Sequence, residues 1–270
     1  MELKELMRRI HLPEEAQGVA VKFLLGDEAY QKEKELFYND TRDFLKKWKI
    51  SENHLQWILS FYLELTLEVY EEYQRQGIPE KVFEDTFYDI TIWCEECYRK
   101  YGYYGLEEAA WIAFSIKMKL FRLGRLQFEP MLLSEDMVGK TGILKAGTSV
   151  LNVHIPAGEK LDIEECKKSF EQAEAFFGNT YEAYVCDSWL LAPALKELLP
   201  HTSNIVRFQD MFEVVKVHHR FPQAEQRIFQ DIREDKENYP EKTVLQKKAK
   251  QYILSEKDIG IGIGIRPRSF

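Results

Sequence analysis

A histidine, a carboxylate and a guanidinium fall on two short segments whose spacing is that of β-strands. From Arg125 to Glu129 the chain alternates, with Leu126 and Phe128 apolar and Arg125, Gln127 and Glu129 polar. Between Val150 and Ile155, Leu151, Val153 and Ile155 share one face, and Asn152 and His154 share the other. If the two strands pair, these polar residues line one surface. A histidine beside a carboxylate changes charge near neutral pH and can take a proton from an attacking group. The plainer reading is the solvated face of an antiparallel sheet. His154 stands in an otherwise apolar strand, directly before a Pro156-Ala157-Gly158 turn and a helix start, which favours the chemical reading.

Other segments carry weaker signals. The turn from Pro156 to Lys160 leads into a helix whose first backbone amides could hold an anion with help from Lys160, although Asp162, Glu164 and Glu165 already occupy that helix start. Cys186-Asp187-Ser188-Trp189 ends a strand, with Asp187 and Trp189 on one side and Cys186 and Ser188 on the other. No glycine elbow surrounds Ser188 or Cys186, so covalent catalysis by either is disfavoured and Trp189 reads as core. Cys94 and Cys97 have Cys-x-x-Cys spacing without a second pair, so they read as buried thiols and no metal is expected. His218 and His219 are adjacent on a strand and point opposite ways. Gly260, Gly262 and Gly264 lie on one face of a terminal strand, where a neighbouring helix or an acyl or pantetheine chain could approach closely.

The elements that would position these residues come in two kinds. Up to about residue 120 the apolar spacing is helical. Leu55, Ile58, Leu59, Tyr62, Val69 and Tyr73 form one stripe, and Phe83, Phe87, Ile90, Cys94, Cys97 and Tyr101 form another. Gly77 and Pro79 break the helices between them, and a further helix is expected from Leu106 to about Lys119 with Ala109, Ala110, Ala113 and Ile116 inward. Strands are then expected at Arg125–Glu129, with Pro130 marking an edge or a strand end, at Val150–Ile155, Tyr184–Leu190 and Phe212–His219, and at Ile259–Ile265. Gly139 to Gly147 reads as a hairpin connection. Helices are expected from Asp162, with Glu165 completing a capping box, and at Pro193–Leu199, Asn204–Asp210, Ala224–Arg233 and Thr243–Leu254. The order predicts an α+β chain, with an all-helical domain over residues 1–120 and a mixed α/β domain over 121–270.

Composition bounds the function. The chain has 270 residues, 45% hydrophobic and 30% charged, which is a globular balance. Its net charge of −8 and its short basic runs argue against a nucleic-acid partner. No run approaches the roughly 18 apolar residues of a membrane span, and the charged start, Met1-Glu2-Leu3-Lys4, is no signal peptide. A cytoplasmic protein with reduced thiols and no membrane partner is therefore expected.

Four segments together resemble a bacterial acyltransferase-domain family that joins a helical N-terminal N-acyltransferase domain to a GNAT-like C-terminal domain. They are Leu123-Gly124-Arg125-Leu126-Gln127-Phe128-Glu129, Leu151-Asn152-Val153-His154-Ile155-Pro156, Cys186-Asp187-Ser188-Trp189-Leu190-Leu191, and Ser203-Asn204-Ile205 with Phe208. The resemblance covers most of the chain. It implies that acyl-CoA lies between two splayed strands, Val150–Ile155 and Tyr184–Leu190, with its pyrophosphate on the helix start near Gly158. An amine would attack the thioester directly. Glu129 or His154 would be the general base, Arg125, Gln127, Asp187 and Ser188 would meet the small-molecule amine, and Gly158, Lys160 and Asn204 would meet the cosubstrate. A homo-oligomer is compatible with this reading. The rivals are a non-catalytic small-molecule-binding or interaction protein on the same fold, and a hydrolase using Ser188 or Cys186.

Overall fold

The computed structural model describes residues 1–140 and 142–268, so Thr141 within the expected hairpin connection, and Ser269 and Phe270 of the expected second domain, lie outside the described residues. The chain forms two compact units. One is Met1–Leu123 with Pro156–Gly158, and the other is Gly124–Ile155 with the chain from Glu159 onward.

The first unit is helical: α1 (Leu3–Arg9), α2 (Glu14–Lys22), α3 (Asp27–Asn39), α4 (Thr41–Lys49), α5 (His54–Arg75), α6 (Glu80–Tyr101) and α7 (Ala109–Ile116), followed by a short strand, β1 (Phe121–Leu123). The two long stripes of the sequence become the buried faces of α5 and α6. Aromatic rings dominate where they meet their neighbours. Phe37 packs edge-on against Phe44 and Tyr62, and Phe83 lies 4.8 Å from Phe87 between ring centroids. Such contacts add specific geometry to a large buried apolar area. Buried hydroxyls tie elements to one another: Tyr62 donates to Ala109 O at 2.9 Å, Ser60 to Ala20 O at 2.7 Å and Thr91 to Ile10 O at 2.6 Å. β1 is anchored on α6, where Arg122 N donates to Thr86 Oγ1 at 2.9 Å.

Two expectations for this unit need correction. α7 begins at Ala109 rather than Leu106, because Leu106 N donates to Leu55 O and so holds the preceding chain on α5. It ends early at Ile116, with Met118 in the left-handed region. Ala110 and Tyr101 are exposed, outside the inward stripes to which spacing assigned them.

The second unit contains β2 (Leu126–Leu132), β3 (Met137–Gly139), β4 (Gly142–Leu144), β5 (Ser149–His154), α8 (Ile163–Phe177), β6 (Ala183–Ser188), α9 (Leu195–Leu198), α10 (Asn204–Gln209), β7 (Glu213–His218), α11 (Gln223–Phe229), α12 (Val244–Leu254) and β8 (Ile261–Pro267). Its strands run in the order β2-β5-β6-β8-β7, with β5 and β6 parallel and the other neighbours antiparallel. One face is covered by α8, whose Phe170 ring meets Phe128 and Tyr184 at 5.8 and 4.7 Å. A second small core joins α9, α11 and α12 through Leu195, Ile228, Phe229, Tyr239 and Ala249, with Trp189 packed against it.

β2 continues past Pro130 to Leu132, with Pro130 in register opposite Leu151, so the proline does not end the strand. Proline removes only a donor, which a strand can lose where no acceptor faces it. The stretch read as a hairpin connection contains a two-stranded ribbon of its own, β3 and β4. β6 stops at Ser188, and Trp189–Leu191 forms a 3₁₀ turn because Ser188 Oγ accepts from Leu190 N. Asp162 caps α8 by accepting from Glu164 N and Glu165 N, but Glu165 pairs with Lys168 rather than closing a capping box.

Gly262 and Gly264 face this 3₁₀ turn rather than an open channel, whereas Gly260 precedes β8 and lies against His218 O. A Cβ on Gly262 would lie 2.2 Å from Leu191 O, and one on Gly264 would lie 2.9 Å from Phe212 Cβ. Gly262→Ala is therefore expected to cost about 1–3 kcal/mol through overpacking, read as a lower midpoint in urea unfolding. An unchanged midpoint would refute this close approach.

Glu64 on α5 supplies a second test. Burial, reinforced by Asp27 and Glu68, pushes its carboxyl up from 4.5 to about 7. An acid raised in the folded state carries no penalty below its unfolded value. The penalty then grows as pH rises through the folded one. Glu64→Gln should gain stability over the native protein between pH 5 and pH 8. Denaturation at both pH values measures the gap, and a gap of constant size contradicts the burial argument.

Candidate functional site

The register of β2 and β5 builds the site. Glu129 stands opposite Asn152, and Gln127 stands opposite His154. With period-two alternation all four lie on the face away from α8. Glu129 Oε2 receives both neighbours: His154 Nε2 is 2.9 Å away and Asn152 Nδ2 is 3.2 Å away. The imidazole and the carboxylate keep 23% and 19% of their side-chain surface exposed, enough for a reactant to reach them. When Nε2–H is donated to Glu129, Nδ1 is the basic ring nitrogen. The carboxylate thus holds the ring's orientation.

β5 and β6 pair only over Val150–Ala183, Leu151–Tyr184 and Asn152–Val185. Beyond that point β5 stays with β2 through His154, while β6 stays with β8 through Ser188. The two parallel strands therefore part at their C-terminal ends. This parting lies between the two segments for which a splay was expected. Asp187 is two residues beyond Val185, as His154 is two beyond Asn152, so the carboxylate and the imidazole share the open face on either side of the gap. Burial raises the Asp187 carboxyl above its ordinary value, opposed by the charges of His218 and His154.

A cavity of about 390 Å³ opens on the same face. Met131, Leu133, Met137, Val185, Val215 and Ile263 supply its apolar wall. Glu135, Asp136, Asn152, Asp187 and Lys216 supply its polar groups. Sequence reasoning found Asn152 and Asp187 but missed Glu135, Asp136 and Lys216. The only available signal was the alternation of β7, and a β-bulge between Val214 and Lys216 interrupts it.

The remaining expected site residues are distributed differently. Arg125 is buried, and its guanidinium donates Nε–H to Lys160 O and Nη2–H to Glu159 O, both at 2.9 Å. Gln127 is also buried, on the face of the Glu129–His154 pair. Ser188 is buried on the opposite side from Asp187, capping the 3₁₀ turn. Lys160 has an exposed side chain, and Asn204 is exposed at the start of α10. Gly158, in the left-handed region, belongs to the segment that groups with the first unit. The structure thus brings Gln127, Glu129, Asn152, His154 and Asp187 to one face, and Ser188 and Asn204 do not join them.

Residues 120–266 match the sequence profile of the GNAT-like C-terminal domain. The chain belongs to this family. Residues 1–118 match the model of the N-acyltransferase N-terminal domain. Comparison with curated proteins finds no match. The fold of this GNAT-like protein is similar to that of an acyltransferase solved with decanoyl-CoA and teicoplanin. The TM-score is 0.80 at 20% identity, over 99% of this chain and 88% of that one. It is similar to an acyltransferase solved with CoA and 10C-teicoplanin, with a TM-score of 0.79 at 20% identity over 99% and 88% of the two chains. A complex with decanoyl-CoA gives a TM-score of 0.77 at 20% identity over 98% and 87%.

Among the described residues no cluster of three or more His, Cys, Asp or Glu side chains could hold a metal ion. All four cysteines are free and buried. Burial pushes Cys94 up to about 12 and both Cys97 and Cys166 up to about 11, and it raises Cys186 as well. A thiol so raised is not a nucleophile at neutral pH. Native protein at pH 8 should therefore react with Ellman's reagent at a small fraction of the rate seen after denaturation. Rapid labelling of Cys186 in the folded protein would reopen the hydrolase reading.

Proposed function

We propose that the protein is an N-acyltransferase that moves an acyl group from acyl-CoA to an amine by direct attack. The contact between His154 Nε2 and Glu129 Oε2 beside the parted strands carries this reading. Membership of the GNAT-like family supports it, as do the acyl-CoA and CoA complexes of proteins with the same fold. The glycopeptide teicoplanin bound in one of them agrees with an amine-bearing acceptor.

The ladder between β5 and β6 ends at Asn152 and Val185, which suits an extended thioester arm lying between the parting strands. In this reading the amine nitrogen attacks the thioester carbon, forming C–N as the C–S bond breaks. His154 Nδ1 takes the proton that the nitrogen sheds and returns it to the departing sulfur. Glu129 stabilises the imidazolium formed between these transfers, as a buried carboxylate does when it orients a catalytic histidine. Asn152 holds the same carboxylate oxygen in place. Arg125 acts indirectly, by holding the carbonyls of Glu159 and Lys160 at the loop that precedes α8. Gly158, Lys160 and Asn204 remain proposed contacts for the cosubstrate.

Among the described residues no helix is long and apolar enough to cross a membrane. We place the reaction in the cytoplasm, where acyl-CoA is made, with a small-molecule acceptor and neither nucleic acid nor membrane as partner.

His154→Gln should lower kcat by about 10²–10⁴-fold, the usual contribution of general acid–base catalysis. Glu129→Gln should lower it less, and neither change should alter CoA binding in calorimetry. Transfer assays with decanoyl-CoA and a panel of primary amines test this. Undiminished turnover in His154→Gln would remove the histidine from the mechanism.

A further inference from the structure

The cavity beside the Glu129–His154 pair has an imbalance that its own residues do not resolve. Three carboxylates, Glu135, Asp136 and Asp187, face one ammonium, Lys216. Glu135 already holds Lys216 at 2.7 Å. Asp136 accepts from Lys145 Nζ at 2.8 Å and from Ala146 N at 2.9 Å. The Asp187 side chain makes neither a hydrogen bond nor an ion pair among the described residues, and it is the exposed residue of β6. A carboxylate without a side-chain partner beside an apolar wall is matched by a cationic donor, whose hydrogen bond to it is charge-assisted. The wall around it is apolar, formed by Val185, Ile263, Val215 and Met131 among others.

We propose that this cavity receives the acceptor as a primary ammonium carried on an apolar body, with Asp187 as the carboxylate that pairs with the ammonium and so selects cationic amines. The inference rests on the acyl-transfer reading and names the substrate class for it. An acyl tail would satisfy the apolar wall but would strip water from Asp187 without pairing its charge. An ammonium on an alkyl or aryl body satisfies both. The position also suits delivery, because Asp187 and His154 flank the same gap and the His154 charge acts on the Asp187 carboxyl. The ammonium gives one proton to solvent to become the free amine. Its nitrogen then attacks the thioester carbon and sheds a second proton to His154, which passes it to the leaving sulfur. The products are the amide, the free thiol of CoA and one released proton.

Asp187→Asn keeps the shape and removes the charge. With decanoyl-CoA as donor and phenethylamine as acceptor, the variant should show an amine KM higher by about tenfold or more, as for the loss of a charge-assisted contact. The KM for decanoyl-CoA and its calorimetric binding should not move, which also reports that the fold is intact. Phenethyl alcohol, matched but neutral, should compete equally weakly in both proteins, and Asp187→Glu should recover part of the lost amine affinity. Transfer with an unchanged amine KM would leave the transferase reading standing and overturn this one. A change in acyl-chain-length preference with unchanged amine KM would assign the cavity to the acyl tail, and so overturn it too. Calorimetric phenethylamine binding that depends on Asp187 in a protein without turnover would keep the ammonium site and sink the transferase reading. No saturable binding of phenethylamine by the native protein would overturn the proposal.

Discussion

The pairing of β5 with β6 ends after Asn152 and Val185, and the arrangement of the site follows from that limit. Each strand is held on its far side, β5 by β2 and β6 by β8, so the two diverge without either unravelling. The divergence puts His154 and Asp187 at the margins of a gap instead of beside each other in a closed ladder. Were the pairing to continue for two more residues, the same side chains would sit on an unbroken surface and nothing could pass between them.

The opposite face of the sheet keeps this opening rigid. Phe170 wedges between Phe128 and Tyr184, and Arg266 lies over the Phe170 ring at 4.5 Å. Burial lowers the Arg266 guanidinium from its ordinary value, and its Nη1 reaches Met211 O. Dense packing of this kind fixes strand positions to within a fraction of an ångström. A hydrogen-bonded pair 2.9 Å apart on the other face needs that stiffness to stay aligned.

Much of this was legible in the residues. The alternation Arg125-Leu126-Gln127-Phe128-Glu129 located β2, and the run around His154 located β5, because two-residue periodicity survives wherever one face is buried. The helical half was legible from its long apolar stripes. What escaped was set by tertiary context. Nothing local distinguishes Arg125, which spends its guanidinium on two carbonyls, from a substrate-binding arginine. Ser188 and Asp187 are adjacent in sequence, but only the sheet decides which of them faces the cavity. The short strands β1, β3 and β4 have three residues each, too few for a period to declare itself. Lys216 was hidden by a bulge, which breaks the very alternation used to find such residues.

β8, the last of the strands in chain order, lies between β6 and β7. Its glycines let it slide under the 3₁₀ turn at Leu191, so the slot it fills is narrow. On the ribosome, β6 and β7 emerge first and have no sheet contact with each other until β8 arrives. The edge of β6 waits unmatched while five intervening helices and strands are made, and an unmatched edge is a template for wrong partners. Completion of the sheet is therefore a late, non-local event, and such closures are slow. The interval between synthesis of residue 188 and residue 261 is therefore the one in which the edge that β8 will cover stands open to mispairing.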